Sequence, residues 1–528
     1  MEFLNDWGIT FAVFLPLVGA LIIMAIPRAQ EEAHKFVALA TSLAVAGFGV
    51  AMLVKFSVDR ADELQYVVDK NWIEAIHSRY IVGIDGISMP LILLTMLIVP
   101  LCVIYSWNHF PDPHNPKAFL ALILILETGM VGTFVAQDLI LFFVFFEVVL
   151  LPMFFMIAVW GGDNRRYASL KFFLYTLFGS ALMILGFLAL YFLSDPHTFD
   201  MRALPTAVSG IALSTQVWIF LAMFMGFGIK VPMFPFHTWL PDAHTEAPTV
   251  GSVILAAVLL KLGTYGFVRI AIPILPAAAV KVSPLIGILA VIGIIYGALG
   301  CLAQTDMKRL IAFSSVAHMG FVMLGIASMT TFGINAAIFG MVAHGLITGM
   351  LFFIAGSVKE RYHTLEISRL GGLLVDAPKL GWILGFCAMA SLGLPGLAGF
   401  WGEFPAILSS YQPANGLSVE LWRVFMVIAA VGTVFAAGYL LWLLQRTAFG
   451  APKHTTDEHI HDVHVSEGLA WAPLLALIVV LGIYPNLIFK ATDKALTAQF
   501  EKPTHVCLVE DESPSCPDLV DAHTAQGK

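Results

Sequence analysis

The stretch that decides the fold is GFGIKVPMFPFHTWLPDAH, residues 226–244, in which a lysine lies within a long apolar segment interrupted by prolines. A second stretch of this kind, SLGLPGLAGFWGEFPAI at residues 391–407, carries Glu403. Proline removes a helix N–H donor and its ring clashes with the preceding turn, so each segment is predicted to be two half-helices with an unwound joint. In a membrane such a joint is tolerated where it lines a polar cavity, and a pair of joints indicates an inverted repeat with an ion site.

The composition indicates a membrane protein. Hydrophobic residues make up 59% of the 528 residues and charged residues 12%, whereas a soluble protein has about a quarter charged residues. A helix of about 20 apolar residues crosses the ~30 Å of hydrocarbon in a bilayer. We place fourteen such segments near residues 8–26, 36–56, 86–107, 117–135, 138–159, 170–193, 212–240, 249–273, 283–304, 308–328, 333–357, 380–411, 422–446 and 468–490. The predicted fold class is an all-α polytopic membrane protein of about 14 transmembrane helices, with helices 7 and 12 broken.

The spacing of ionisable residues predicts two repeats of five helices. Glu147 precedes Lys230 by 83 residues, and His318 precedes Glu403 by 85. The predicted parts are helices 1 to 3 (residues 1–110), a first repeat of helices 4 to 8 (111–275), a second repeat of helices 9 to 13 (276–448), a loop with helix 14 (449–490) and a polar C-terminal tail (491–528).

Four ionisable side chains near the middle of these segments indicate a proton path: Glu147, Lys230, Lys261 and Glu403. A charge at the centre of a spanning helix costs at least about 2.5 to 3.5 kcal/mol, so such residues usually mark an ion route. A buried acid can also be structural, and a lysine near a helix end can extend its ammonium to the interface. Glu147 and Lys261 lie too deep in their helices to do so easily.

Histidines and one further acid are weaker candidates. His237, His318 and His344 could each be a hydrogen-bonded core residue, although a near-neutral pKa is what a relay between stronger sites needs. Glu127 is equally deep in the fourth helix, but no broken helix pairs with it, so its role stays open.

Other functions are disfavoured by charge and by cysteine usage. The net charge of −8 leaves no basic surface for nucleic acid. The five cysteines show no C-x-x-C or cluster spacing, so we expect no iron–sulfur or zinc site and no electron transfer in this chain. The loop before the last helix holds four histidines, which we interpret as polar loop residues rather than metal ligands. They are His454, His459, His461 and His464.

The distribution of Lys and Arg favours both termini outside. An even number of helices puts the termini on one side, and basic residues concentrate in cytoplasmic connections. The connections opposite the termini hold 14 Lys and Arg residues, and the terminal side holds 12. Acidic residues precede the first segment, which we therefore predict to be a retained helix rather than a signal peptide.

Four motifs carry a resemblance to a known family. They are VGIDGIS (82–88), KVPMFPFHTWLPDAHTEAPT (230–249), TDMKRLIAFSSVAHMG (305–320) and PGLAGFWGEF (395–404). With the Glu147 and Lys261 helices, they resemble the antiporter-like proton-channel subunits of respiratory complex I, over residues 80–450. In that family the M type, called chain 4 in mitochondria, has Glu at the position of Glu403, whereas the L and N types have Lys.

The resemblance implies a proton-translocating subunit of NADH:quinone oxidoreductase in the bacterial plasma membrane. It implies that Glu147 and Lys230 form the input pair, that Lys261 and the histidines connect, and that Glu403 exchanges protons with the outer side. NADH, FMN, iron–sulfur clusters and quinone are expected in partner subunits, with no cofactor or metal in this chain. The expected neighbours are the L and N subunits, together with membrane lipid.

The input pair is strong enough for the implied task. Moving a proton against ~150 mV requires about 3.5 kcal/mol, and a Glu–Lys pair at ~4 Å interacts by about 4 kcal/mol at an effective dielectric of 20.

Two alternatives share most of the motifs: a subunit of a multisubunit cation/proton antiporter and a subunit of a membrane-bound hydrogenase. The resemblance does not extend to the tail, where we predict a disulfide between Cys507 and Cys516.

Overall fold

The computed structural model describes residues 2–453 and 460–500, and 13 helices within them are long and apolar enough to cross a membrane. The predicted multi-pass helical membrane fold is confirmed. The first helices are α1 (Glu2–Ala25), α2 (Glu31–Lys55), α3 (Ser88–Ser106), α4 (Pro116–Val135), α5 (Leu139–Val148), α6 (Leu150–Trp160), α7 (Arg165–Leu193), α8 (Leu204–Ala207), α9 (Leu213–Lys230) and α10 (Trp239–Glu246).

The remaining helices include the most interior ones. They are α11 (Thr249–Ile254), α12 (Leu260–Gly266), α13 (Ile272–Ile274), α14 (Pro276–Leu302), α15 (Met307–Ala327), α16 (Thr331–Tyr362), α17 (Leu373–Asp376), α18 (Pro378–Ser391), α19 (Ala398–Ser409), α20 (Val419–Thr447), α21 (Val465–Ile483) and α22 (Asn486–Phe500). Helix α16 is buried from Gly333 to Val358, and the span from Thr249 to Ile274 is almost as deeply enclosed.

The twelfth predicted segment, residues 380–411, is the one that is absent from these 13 spans, because it consists of two short helices. Helix α18 ends at Ser391 and α19 begins at Ala398, so neither has the length of a span. In the seventh segment, α9 ends at Lys230 and the next helix begins at Trp239. The Trp239 indole N–H donates to the carbonyl of Ile229 at 3.0 Å, which satisfies one acceptor at the end of α9. The inverted relation of the two five-helix groups stays a prediction.

The helix that carries Lys261 is not regular. Two π-helical stretches, Leu255–Leu259 and Phe267–Ala271, flank α12. A π-helical turn inserts an extra residue and changes the direction in which nearby side chains point, and such turns are frequent at functional sites. The C-terminal part of this helix is fixed by Arg269, which donates to both carboxylate oxygens of Asp85 at 2.6 and 2.5 Å. Asp85 belongs to the VGIDGIS motif, and its carboxylate also accepts hydrogen bonds from the backbone amides of Ile87 and Ser88 in that motif.

A β-hairpin, which the sequence analysis did not predict, lies in the connection between α2 and α3. Strands β1 (Gln65–Ile73) and β2 (Ser78–Ile84) pair antiparallel. Asp138 joins the hairpin to the start of α5, because its carboxylate accepts from the Ser78 hydroxyl, the Arg79 amide and the first amides of α5. The helix that bears Glu147 is therefore capped and anchored at the same residue.

The chain beyond the last predicted span begins with a helix. Residues 491–500, which the sequence analysis assigned to a polar tail, belong to α22, whose Ile488, Ala491, Ala495 and Leu496 are buried. A short amphipathic helix of this kind has too low a hydropathy to be found by a search for spans. Cys507 and Cys516 lie outside the described residues.

Candidate functional site

Glu403 and His318 are in direct contact within the helical core. His318 Nδ1 lies 2.5 Å from Glu403 Oε1, and both side chains are largely buried. Helices α16 and α19 approach closely here, because Gly340 and Gly402 meet without side chains. A Cβ added at Gly402 would lie 2.5 Å from the Gly340 Cα. The two glycines thus bring the Glu403 helix to within reach of the histidine.

Lys261 and His344 form a second contact. Lys261 is fully buried, and its Nζ lies 2.8 Å from His344 Nδ1 and 2.5 Å from the Ala256 carbonyl. Ala256 is part of the first π-helical stretch, whose altered turn leaves this carbonyl available to the lysine. The ring of His344 then faces the ring of His318, with 6.0 Å between centroids and 67° between planes.

A small cavity joins the two contacts. It has a volume of about 20 Å³, and its lining includes His318, His344, Thr348, Ser391 and Glu403. His344 Nε2 is buried and has no hydrogen-bond partner within the described part of the chain. About 10 to 15 Å³ suffices for one water molecule, provided polar partners are present. Lys261, His344, His318 and Glu403, called the buried relay below, are therefore connected through two direct contacts and one water-sized gap.

Glu147 and Lys230 lie near each other without direct contact. The resemblance implied that the two form the input pair, and the energy above was calculated for ~4 Å, but no nitrogen–oxygen contact within 4.0 Å joins the two side chains in the described structure. Lys230 is buried at the end of α9, and its Nζ lies 4.9 Å above the ring of Phe146, the neighbour of Glu147. The two charges still attract each other electrostatically. The pair is thus open in this structure, and a cation–π contact holds the ammonium beside the acid.

The backbone of Lys230 adjoins the helix of Lys261. A Cβ added at Gly263 would lie 2.6 Å from the Phe227 carbonyl oxygen and 3.1 Å from the Lys230 Cβ. The close approach of α9 and α12 at this glycine places the input pair next to the beginning of the buried relay.

His237 lies apart from the other predicted site residues. Its ring is buried among aromatic rings, 5.7 Å from Phe234 and 4.9 Å from Tyr296. Its Nδ1 has no partner among the described residues. The structure does not bring His237 into contact with a lysine or an acid of the set.

Three side chains that the sequence analysis did not select belong to this region. Ser391 and Tyr439 each place a hydroxyl 3.1 Å from His318 Nε2. His244 is fully buried and stacks on Phe352 with 4.4 Å between ring centroids, within electrostatic reach of Lys261. The position of His244 in the quoted LPDAH motif is a signal that could have found it. Ser391 and Tyr439 give no such signal, since isolated hydroxyls are common in membrane helices.

Glu127 has the environment of neither a paired nor a solvated acid. Both carboxylate oxygens are buried and lack a hydrogen-bond partner in the described residues. No contact joins it to the buried relay, so its role stays open.

One cluster has the atoms to hold a metal, at the end of the molecule opposite the hairpin. Ligand atoms of His109, Glu360 and Glu467 lie within 4.8 Å of one another. Arg361 donates to both oxygens of Glu467, at 2.9 and 2.7 Å, and His109 contacts Glu360 at 2.7 Å. These ion pairs account for the cluster, because a guanidinium occupies the face that a cation would need. Of the four loop histidines, only His461 and His464 lie in the described residues.

Comparison with known proteins identifies the family. The sequence pattern of the family described as "NADH:quinone oxidoreductase/Mrp antiporter, TM" matches residues 136–436. A second pattern, "NADH-ubiquinone oxidoreductase chain 4, amino terminus", matches residues 64–133. The NADH-quinone oxidoreductase subunit M of Rhodobacter capsulatus is 40% identical over 494 residues, which cover 91% of this chain and 94% of that protein.

Solved structures show the same fold. A chain of respiratory complex I from Thermus thermophilus superposes with a TM-score of 0.82 at 28% identity, covering 93% of this chain and 99% of that one. A chain of the Mrp complex from a Dietzia species superposes with a TM-score of 0.81 at 23% identity, covering 94% of this chain and 52% of that one. The chain therefore belongs to the NADH:quinone oxidoreductase/Mrp antiporter family, among its subunit M, or chain 4, members.

Proposed function

We propose that this chain is a proton-translocating membrane subunit of NADH:quinone oxidoreductase. Quinone reduction elsewhere in the complex would drive protons through its buried Glu, Lys and His side chains. NADH, FMN, iron–sulfur clusters and quinone would be bound by partner subunits, and antiporter-like subunits of the L and N types would be neighbours. The enzyme would lie in the bacterial plasma membrane with both termini of this chain outside.

The observation that carries the proposal is the buried relay. A single amine in a membrane core is costly, and here it contacts a histidine that leads to a second histidine and a carboxylate. Each of these groups can take up or release a proton, and both imidazoles and Glu403 line the same water-sized cavity. A purely structural role would not require three titratable side chain types in sequence.

The proposed direction runs from Lys230 toward Glu403. Lys261 Nζ would give a proton to His344 Nδ1, the water-sized gap would carry it toward His318, and His318 Nδ1 would pass a proton to Glu403 Oε1. Glu403 lies beside the unwound residues 392–397, since a Cβ added at Gly393 would lie 3.3 Å from Glu403 Oε2, and the break between helices gives the carboxylate more polar surroundings than a continuous helix would. From there the proton would leave to the outer side.

The open input pair supplies a switch. Closing the distance between Lys230 and Glu147 to about 4 Å would stabilise both charges by about 4 kcal/mol at an effective dielectric of 20. Returning the ammonium to the Phe146 ring removes that stabilisation and favours proton release. The difference exceeds the ~3.5 kcal/mol needed against ~150 mV.

The relay can be tested by Lys261→Ala in the assembled complex. We expect NADH oxidation with an artificial electron acceptor to persist, because that reaction needs no proton path, while proton pumping into sealed vesicles falls about tenfold or more. Lys281→Ala, at an exposed position of α14, serves as the matched control and should pump normally. Pumping by Lys261→Ala at the control rate would refute the proposal.

The family also includes cation/proton antiporter subunits, which lack a redox partner. Affinity purification of this chain from native membranes separates the two assignments. Co-purification with flavin and iron–sulfur subunits that oxidise NADH supports the proposal. Recovery with small membrane subunits alone would assign the chain to an antiporter.

A further inference from the structure

His318 has every polar position of its ring in use. Nδ1 contacts Glu403 at 2.5 Å, and Nε2 lies 3.1 Å from both the Ser391 and the Tyr439 hydroxyls. The three partners come from three helices. Ser391 is the last residue of α18, directly before the unwound residues, whereas Tyr439 lies inside the continuous helix α20.

The two hydroxyls are placed differently. Ser391 lines the cavity between His318 and His344, and Tyr439 is fully buried in the protein interior. One hydroxyl therefore faces the water-sized gap, and the other faces packed side chains. Both approach the same ring nitrogen.

The chemistry of imidazole explains why hydroxyls suit these positions. A neutral imidazole has one N–H and one bare nitrogen, and an imidazolium has two N–H groups. When neutral His318 keeps its proton at Nδ1 and donates it in a hydrogen bond to the Glu403 carboxylate, Nε2 is bare and accepts from a hydroxyl. When Nε2 carries a proton, the same hydroxyl accepts from it. A hydroxyl can thus hold the ring in place in both states. A side-chain amide would have to rotate to exchange its N–H₂ for its carbonyl, and an ammonium would have to lose a proton.

We propose that Tyr439 and Ser391 are positioning residues that hold His318 against Glu403 while the protonation of the ring changes. Tyr439 is the fixed support, because it projects from an uninterrupted helix. Ser391 is the support that moves with the break between α18 and α19. The inference rests on the proposed function, since it assigns both hydroxyls to the last step of the buried relay.

The test uses Tyr439→Phe, Ser391→Ala and Ser391→Thr in the assembled complex, with Glu403→Gln measured in parallel. Tyr439→Phe removes the hydroxyl but keeps the packed ring, so the complex should still assemble. At position 391, Thr keeps the hydroxyl and Ala removes it, so the pair isolates the effect of the hydroxyl itself. We expect pumping to fall about tenfold in Tyr439→Phe and in Ser391→Ala, which is the scale of one lost hydrogen bond to a charged group. Ser391→Thr should restore most of the pumping. Tyr411→Phe and Ser409→Ala, which do not contact His318, are the matched controls.

The pH profile of pumping distinguishes positioning from packing. Because a hydroxyl bonds more strongly to the charged imidazolium than to the neutral ring, losing it displaces the pH profile of Tyr439→Phe from that of the wild type, whereas a packing defect lowers the rate equally at every pH. Wild-type pumping with an unchanged profile in Tyr439→Phe, while Glu403→Gln fails, would overturn this inference and leave the proposed function standing. Normal pumping by Glu403→Gln as well would overturn both. If Tyr439→Phe does not assemble, the comparison of Ser391→Ala with Ser391→Thr tests the inference. Equal pumping by these two variants would contradict it, because only Thr keeps a hydroxyl beside His318.

Discussion

At the scale of single residues, the position of the Lys230 ammonium is the most informative feature of the first half. It lies over the ring of Phe146 rather than against Glu147. A cation–π contact supplies about 2 kcal/mol when it is desolvated, less than the estimated strength of a closed ion pair. The lysine can therefore be held in either position, and the balance depends on the charge of its surroundings.

Glu147→Gln and Lys230→Ala should each strongly reduce coupled pumping without preventing assembly. The amide has nearly the shape of the acid but cannot form the ion pair, and the alanine removes the amine. If the two residues act as a unit, the double variant should lose little more than either single variant. Pumping in vesicles, normalised to NADH oxidation with an artificial acceptor, measures all three. Near wild-type pumping by assembled Glu147→Gln would exclude the pair.

The sequence was sufficient to select the acids and amines but not their contacts. Burial cost alone identifies Lys261 and Glu403, because ionisable residues in apolar runs are rare. The contact of Lys261 with His344 depends on helix rotation and on π-helical turns, which a single sequence does not define. His237 was selected for the same chemical reason as His344, yet its ring faces Phe234 and Tyr296.

At the scale of elements, the site depends on how closely α16 and α19 pack. The pairing of Gly340 with Gly402 allows backbone contact that any Cβ would prevent. Glu403 follows Gly402 directly, so the packing of α19 against α16 helps to position the carboxylate that contacts His318 of the neighbouring helix α15. Small residues serve the same purpose in other membrane helix contacts.

Gly402→Ala should therefore impair pumping although it touches no titratable group. The added methyl would lie 2.5 Å from the Gly340 Cα, and neither backbone can yield without moving a helix. We expect a severalfold loss of pumping and a lower thermal stability of the assembled complex. Gly385→Ala is the matched control, since nothing lies within 4 Å of a Cβ there. Equal behaviour of the two variants would show that the glycine contact does not position Glu403.

Element boundaries were predictable where hydropathy defines them. The prolines of both interrupted segments marked the places where α9 and α18 end. The hairpin of β1 and β2 was missed, because its strands of nine and seven residues are much shorter than the apolar runs of about 20 residues that define spans. Helix α22 was missed for a similar reason, since half of its surface is polar and it is only 15 residues long.

At the scale of the whole molecule, the membrane orientation can be tested directly. We predict both termini outside, where an oxidising environment would join Cys507 and Cys516. A membrane-impermeant reagent should label a tag on either terminus in intact cells, and alkylation without reductant should leave both cysteines unmodified. Labelling only after the cells are opened would reverse the orientation. Two free thiols would exclude the disulfide.

The central claim is that Glu403 is a proton-loading site of the complex. Replacement by Gln keeps the shape but removes titration, so pumping should be lost in an assembled complex. Replacement by Lys keeps a titratable group, and the resemblance assigns lysine to the same position in the L and N subunits, so part of the function should survive.

The decisive measurement is the number of protons pumped per NADH oxidised in vesicles containing equal amounts of assembled complex. We predict the order wild type, then Glu403→Lys, then Glu403→Gln. Equal pumping by the Gln and Lys variants would show that Glu403 is a structural acid and that protons leave elsewhere.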